Sequence, residues 1–149
     1  MLAAPYFTIE SFESLNSHEL YAIMRLRNEV FVVEQNCIFQ DADNRDQSSF
    51  HLMYWQGENL LAYCRLLPRG LAYAEMSIGR VVSAPSARKS GVGKKLIAKA
   101  IEYCHEQFGK GPIRIGAQLY LLRFYASFGF REVGAIYLED GIEHIEMVL

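Results

Sequence analysis

The chain has 149 residues, 51% hydrophobic and 21% charged, with a formal net charge of -2. That length suits one domain with a sizeable core, and the composition excludes a disordered chain. The near-neutral balance argues against a nucleic-acid partner, which needs a basic face.

Asn16-Ser17-His18-Glu19 predicts a helix start, with a side-chain cap and a Glu three residues on that reaches back. Leu20, Ile23, Met24, Val30 and Phe31 continue at helical spacing, broken by Arg27, and the helix should fade near Glu34 or Gln35. Residues 36–49 are polar, with Asp41, Asp43, Asn44 and Asp46, and read as a functional loop. Residues 50–56 and 60–67 read as strands around the turn Gly57-Glu58-Asn59. Residues 71–76 are weakly patterned. Residues 77–83 form a third strand, and Val92, Leu96, Ile97, Ala100, Ile101, Cys104 and Phe108 lie on one face of a helix over 92–108. A short β-branched strand follows over 113–117, then a helix over 119–128 closed by Gly129. Strands over 130–138 and 143–148 complete a hairpin around Asp140-Gly141. The order is helix, three strands, helix, strand, helix, two strands, which predicts one mixed α/β domain over residues 1–149.

No run approaches the roughly 18 apolar residues that span a bilayer, and the first ten residues lack the regions of a signal peptide. Cys37, Cys64 and Cys104 are odd in number, with no metal-ligand spacing. The expectation is a cytoplasmic protein with buried thiols, no structural metal and no membrane contact.

Arg88-Lys89-Ser90-Gly91-Val92-Gly93 lies between a strand and a helix. A helix start carries unpaired N–H donors and the positive end of the dipole. Two positions without side chains let an anion sit on those donors, which predicts a phosphate-binding turn with Lys94 nearby. The plain alternative is a helix-start turn and nothing more. Gly91 and Gly93 are too close for a P-loop, and Lys95 stands where that motif needs Ser or Thr. Leu96 replaces the third glycine of a dinucleotide fingerprint.

What remains, R-x-x-G-x-G after Ile78-Gly79-Arg80-Val81-Val82, resembles the acetyl-CoA motif of the GNAT N-acetyltransferases. Residues 117–130, with Phe124-Tyr125 and Gly129-Phe130, resemble that family's second motif. Arg25–Gln35, His51-Leu52 and residues 137–145 are similar to its ElaA branch, so the likeness covers almost the whole chain.

The resemblance implies a GNAT fold. It has a mixed, mostly antiparallel sheet, helices on both faces, and a splayed strand pair that takes the cofactor. It implies acetyl-CoA as co-substrate and direct transfer to an amine of a small molecule or peptide. The cofactor residues would be Val81, Val82, Arg88, Lys89, Ser90, Gly91, Val92, Gly93, Lys94 and Gln118, where the family often has Asn. A backbone N–H near Val81 would stabilise negative charge on the thioester oxygen. Tyr125 would be the acid at the leaving thiol, and Glu75 the base. Other base candidates are Glu34, Asp43, Asp46, His51, Glu139 and His144. Arg27 and Arg80 are expected to find a carboxylate, from a substrate or from Glu34 or Asp46. Residues 36–49 would wall the acceptor pocket, and a homodimer through the last hairpin is open.

Two other readings stand beside this one. Arg25–Phe31 also resembles acyl-homoserine-lactone synthases, which use other acyl donors. A non-catalytic acyl-CoA sensor would keep the same turn.

Overall fold

The computed structural model describes residues 2–149. Seven strands and three helices run in the order β1 (Tyr6–Ser11), α1 (Ser17–Arg27), β2 (Phe50–Gln56), β3 (Asn59–Leu67), β4 (Ser77–Ser83), α2 (Val92–Phe108), β5 (Arg114–Gln118), α3 (Leu122–Ala126), β6 (Arg131–Glu139) and β7 (Ile142–Val148). They form a four-stranded sheet, β1-β2-β3-β4, and a three-stranded sheet, β5-β7-β6, with every ladder antiparallel.

β2 and β3 read as near-continuous apolar runs because both faces of the first sheet are covered. Leu52, Tyr54, Ala62 and Cys64 pack with Leu96, Ile97, Ala100 and Cys104 of α2. The alternate residues Met53, Trp55 and Tyr63 pack with Ile23, Leu26 and Val30 on the α1 side. Helices on both faces of a mostly antiparallel sheet match the expected fold.

α1 starts where the sequence placed it. Asn16 Oδ1 accepts the Glu19 N–H at 2.8 Å, and Glu19 Oε1 accepts the Asn16 N–H at 2.9 Å. The helix does not run on as predicted. After Arg27 it widens into π-helical turns over Asn28–Glu34. Such turns add a residue per turn and occur often at functional sites. β1 was missed altogether. It is an outer strand with no fully buried residue, paired to β2 from Tyr6↔Trp55 to Ser11↔Phe50. The third predicted helix begins as a tighter 3₁₀ turn, Leu119–Leu121, before α3. The last hairpin turns on Asp140 (φ 51°) and Gly141 (φ 77°), both left-handed, as a two-residue turn of this type requires. Among the described residues no helix is long and apolar enough to cross a membrane.

Asn16→Ala should remove one partner of the capping pair and lower the unfolding free energy by about 1 kcal/mol. Urea titration of the two proteins measures this directly. An unchanged midpoint would show that the cap contributes nothing here.

Candidate active site

β4 and β5 touch at one end only. Met76 and Ile113 form a parallel bridge, and the Arg114 N–H donates to the Met76 carbonyl at 3.0 Å. Beyond that point no ladder joins the strands, and a cavity of about 720 Å³ opens between them. Ile78–Ser83 line one wall, and Ile115, Gly116 and Gln118 the other. The splay expected between these two strands is present.

β4 is also bulged at the cavity. Tyr63 pairs with Val82 and Arg65 with Gly79, so Arg80 and Val81 together oppose Cys64. Arg80 adopts a left-handed φ of 52°, uncommon for a residue with a Cβ. Such strain costs about 1–3 kcal/mol and persists only where neighbours over-determine it. A bulge leaves a backbone group out of the ladder. Here that places Val81 at the cavity, at the point where the ladder is interrupted.

The neighbours that hold Arg80 are charged. Its Nε donates to Asp41 Oδ1 at 2.7 Å, and one Nη to the Asp41 carbonyl at 2.9 Å. Asp41 Oδ2 also accepts from Arg27 Nε at 2.9 Å. Arg27 is fully buried, and its Nη1 reaches Asp46 Oδ1 at 2.7 Å. Arg65 grips Asp43 with two bonds of 2.7 and 2.6 Å and reaches Asp46 at 3.0 Å. Three arginines from α1, β3 and β4 thus hold three aspartates of the 36–49 loop. The expected pairing of Arg27 with Asp46 is present. Burial alone would raise the carboxyls of Asp43 and Asp46. The hydrogen bonds and charge of Arg65 on Asp43, and chiefly of Arg27 on Asp46, hold both below the usual carboxylate range. His51 is fully buried between the Tyr63 hydroxyl (2.7 Å) and the Asp46 carbonyl (2.9 Å), and burial pushes its pKa down. Asp46 and His51 therefore belong to this framework and do not line the cavity.

At the far end of the cavity, Gly91 caps α2 with φ 79° and no side-chain partner. The left-handed turn is the reason a glycine stands there. A Cβ on Gly93 would meet Phe124 Cζ at 3.6 Å, ordinary contact, so openness toward a ligand explains that glycine better than crowding. The first N–H groups of α2 have no intrahelical partner. Lys89, Ser90 and Lys94 are exposed around them, whereas the Val92 and Val82 side chains are buried core. The Ser90 hydroxyl is already used, donating to the Ala87 carbonyl. Arg88 makes a two-pronged pair with Glu34 at 2.8 and 2.5 Å, both residues at the rim.

Residues 16–149 match the family model of the acetyltransferase (GNAT) domain. The chain belongs to the GNAT family. Protein ElaA of Escherichia coli is 42% identical over 135 residues, covering 89% of this chain and 88% of that one. The ElaA crystal structure superposes with a TM-score of 0.91 over 97% of this chain and 99% of that one. An acyl-CoA N-acyltransferase from Pseudomonas aeruginosa superposes with a TM-score of 0.93 at 39% identity, covering 97% and 99% of the two chains. A CoA-dependent acyl-homoserine lactone synthase shares the fold at a TM-score of 0.81 over 97% and 82% of the two chains, and at 18% identity the likeness stops at the fold. The protein is thus an ElaA-like GNAT acyltransferase, and the fold implies binding of an acyl-CoA.

The cavity of this GNAT domain fits such a ligand. An uncapped helix N-terminus without acidic residues in its first turn suits a pyrophosphate. The free backbone of the bulge suits the pantetheine arm. Gln118 and Tyr125 line the same cavity. Gln118 Nε2 lies 3.4 Å from Gln35 Oε1. Tyr125 is 6% exposed and meets Phe124 and Phe130 edge-on. Burial, with Cys64 and Tyr120 nearby, raises its phenol well above the ordinary value.

Glu75 does not join them. Its carboxylate is held by Arg114 at 3.0–3.1 Å, which lowers its pKa, and it does not line the cavity. The structure thus places Glu75 outside the cavity that holds Gln118 and Tyr125. His144 faces the cavity instead. Its Nδ1–H donates to the Ile142 carbonyl at 2.7 Å, which leaves Nε2 free, 3.4 Å from Glu139 Oε2. In sequence His144 was one candidate among seven. Its signal is the strand register, which sets it opposite Gln118.

The arginine–aspartate framework predicts acid lability. Asp43 and Asp46 titrate lower folded than unfolded, so the unfolded chain binds more protons below about pH 4. Their stabilisation is complete above that pH and lost as pH falls through the folded values. His51, kept neutral by burial, adds a loss in the same direction as pH falls below about 6.5. Urea unfolding at stepped pH and constant salt should show both. Asp46→Ala at pH 7 is expected to cost about 3–5 kcal/mol, because it strips a buried guanidinium.

Proposed function

We propose that this GNAT domain is an acetyl-CoA-dependent N-acetyltransferase that transfers an acetyl group directly to an amine of a small molecule or peptide. The observation that carries this reading is one cavity holding the bulged backbone at Val81, the phenol of Tyr125 and the free imidazole nitrogen of His144. No cysteine of the two sequence motifs offers a covalent route; Cys37 lines the cavity, but its thiol donates to the Asp140 carbonyl at 3.2 Å.

Acetyl-CoA supplies an activated thioester and a thiol leaving group with a pKa near 8.5. The α2 N-terminus, with Gly91, Gly93 and the cations Lys89 and Lys94, holds the phosphates. Arg88 joins them when it leaves Glu34. The Val81 N–H is fixed by the bulge where negative charge grows on the carbonyl oxygen. An alkyl ammonium must lose a proton before it attacks. His144 takes that proton at Nε2, with its tautomer set by the Ile142 carbonyl. Tyr125 stays protonated because burial raises its pKa. A phenol that high does not give its proton up to a thiolate outright. It acts as an O–H donor that stabilises the departing thiolate, which takes up the second proton shed by the acylated nitrogen, so its contribution is modest.

Calorimetry should show acetyl-CoA binding below millimolar concentration. Absence of binding would overturn the reading. Tyr125→Phe is expected to lower kcat about ten- to a hundredfold, with acetyl-CoA affinity retained. His144→Ala should lower kcat/KM about 10²–10⁴-fold and be partly rescued by added imidazole. A loss without rescue, and with a lowered Tm, would mark His144 as structural only.

A further inference from the structure

Three guanidinium groups line the cavity: Arg45, Arg80 and Arg88. Arg80 is committed to Asp41 and Asp43, and Arg88 to Glu34. Arg45 forms no ion pair and no side-chain hydrogen bond among the described residues. Its backbone is pinned nonetheless. The Arg45 N–H donates to Asp43 Oδ1 at 3.1 Å, and its carbonyl accepts from the Ser49 hydroxyl at 2.7 Å. Asn44 before it is held at φ 65°. The framework therefore fixes where Arg45 leaves the chain and leaves its charge unanswered.

The facing wall carries the opposite sign. Glu139 and Asp140, on the β6–β7 turn, are exposed acids beside His144. Among the described residues Glu139 pairs with no Lys or Arg, and its one ionic partner is the His144 ring at 3.4 Å. Asp43 also lines the cavity, on the Arg45 loop, but Arg65 and Arg80 already answer its charge. The two walls are tied together, since the Cys37 thiol donates to the Asp140 carbonyl at 3.2 Å. That tie limits how far the cationic and anionic sites can drift apart.

A singly charged ligand would leave one wall unanswered, whereas a zwitterion answers both. We infer that the acceptor is an amine that also carries a carboxylate, an amino acid in the broad sense. Arg45 binds the carboxylate, and the Glu139–His144 wall takes the ammonium. This rests on the amine-acetylation reading and narrows its substrate class. Guanidinium is suited to the role because its fork matches a carboxylate in two parallel bonds.

The test uses the whole chain with saturating acetyl-CoA and paired straight-chain amines. Glycine, β-alanine and 4-aminobutyrate are each compared with the same amine lacking the carboxylate. One carboxylated member is expected to exceed its bare counterpart in kcat/KM by at least tenfold, because the fixed walls select a length. Arg45→Gln should raise that member's KM on the order of ten- to a hundredfold with kcat little changed, so the ratio collapses toward one. Arg45→Lys should restore part of the ratio. Equal turnover of carboxylated and bare amines overturns this inference and leaves amine acetylation standing. A ratio unmoved by Arg45→Gln, with the fold verified by circular dichroism, overturns it as well. No turnover of any amine in this panel overturns this inference, and no turnover of a panel of peptide N-termini as well removes both readings.

Discussion

The active-site geometry depends on one interaction, the hold that Arg27, Arg65 and Arg80 keep on Asp41, Asp43 and Asp46. The loop over 36–49 has no ladder and one short 3₁₀ turn, so backbone bonding cannot fix it. Side-chain charge does. Formal charges balance three against three, and seven hydrogen bonds shorter than 3.1 Å link them. Burying these groups costs several kcal/mol each, and only dense bonding offsets that. The fit is not complete, since Arg65 Nε has no partner. A hydrophobic core of the same volume could be more stable. It could not hold Arg80 in a left-handed turn, because that turn needs a directed pull on a guanidinium.

From Arg80 the consequence passes along the chain. Its strained φ makes the bulge, and the bulge frees the backbone at Val81. The same aspartates fix Arg45 and carry the loop that lines the cavity. On the proposed reading, donor binding and acceptor recognition share one framework. Acid that protonates the aspartates should weaken both the fold and the cavity wall.

Local features were legible in the sequence. The Asn16–Glu19 cap, the glycine turn at Gly91 and the Asp140-Gly141 hairpin each follow from a few adjacent residues with known backbone demands. The apolar runs of β2 and β3 announced strands buried on both faces. Edge strand β1 escaped because its residues are half-buried on both faces and give no alternation. The π-helical turns escaped because apolar spacing at 30–33 does not separate a wide turn from a regular one. The framework was only partly visible. Arg27 with Asp46 was among the expected pairs, but partners 14 to 39 residues apart make the full set of contacts unreadable from spacing. The ion pair of Glu75 was hidden for the same reason. Its partner Arg114 lies 39 residues on, and nothing near Glu75 points to it.

The two walls of the cavity belong to different sheets, so their alignment depends on where the sheets meet. That junction is the closed end of the splay. Met76 and Ile113 are fully buried there, and Ile113 exchanges two backbone bonds with Leu149, of 3.4 and 2.9 Å. Leu149 is thus stitched to Ile113 at the vertex. Val81 lies five residues beyond Met76 along one arm, and Gln118 lies five beyond Ile113 along the other. Strands rise about 3.3 Å per residue, so a small rotation at the vertex moves these groups by ångströms relative to each other. Transfer chemistry tolerates little misplacement of that kind. A vertex packed with no exposed surface, and clasps such as Cys37 to Asp140 across the open end, restrain the rotation from both ends of the cleft.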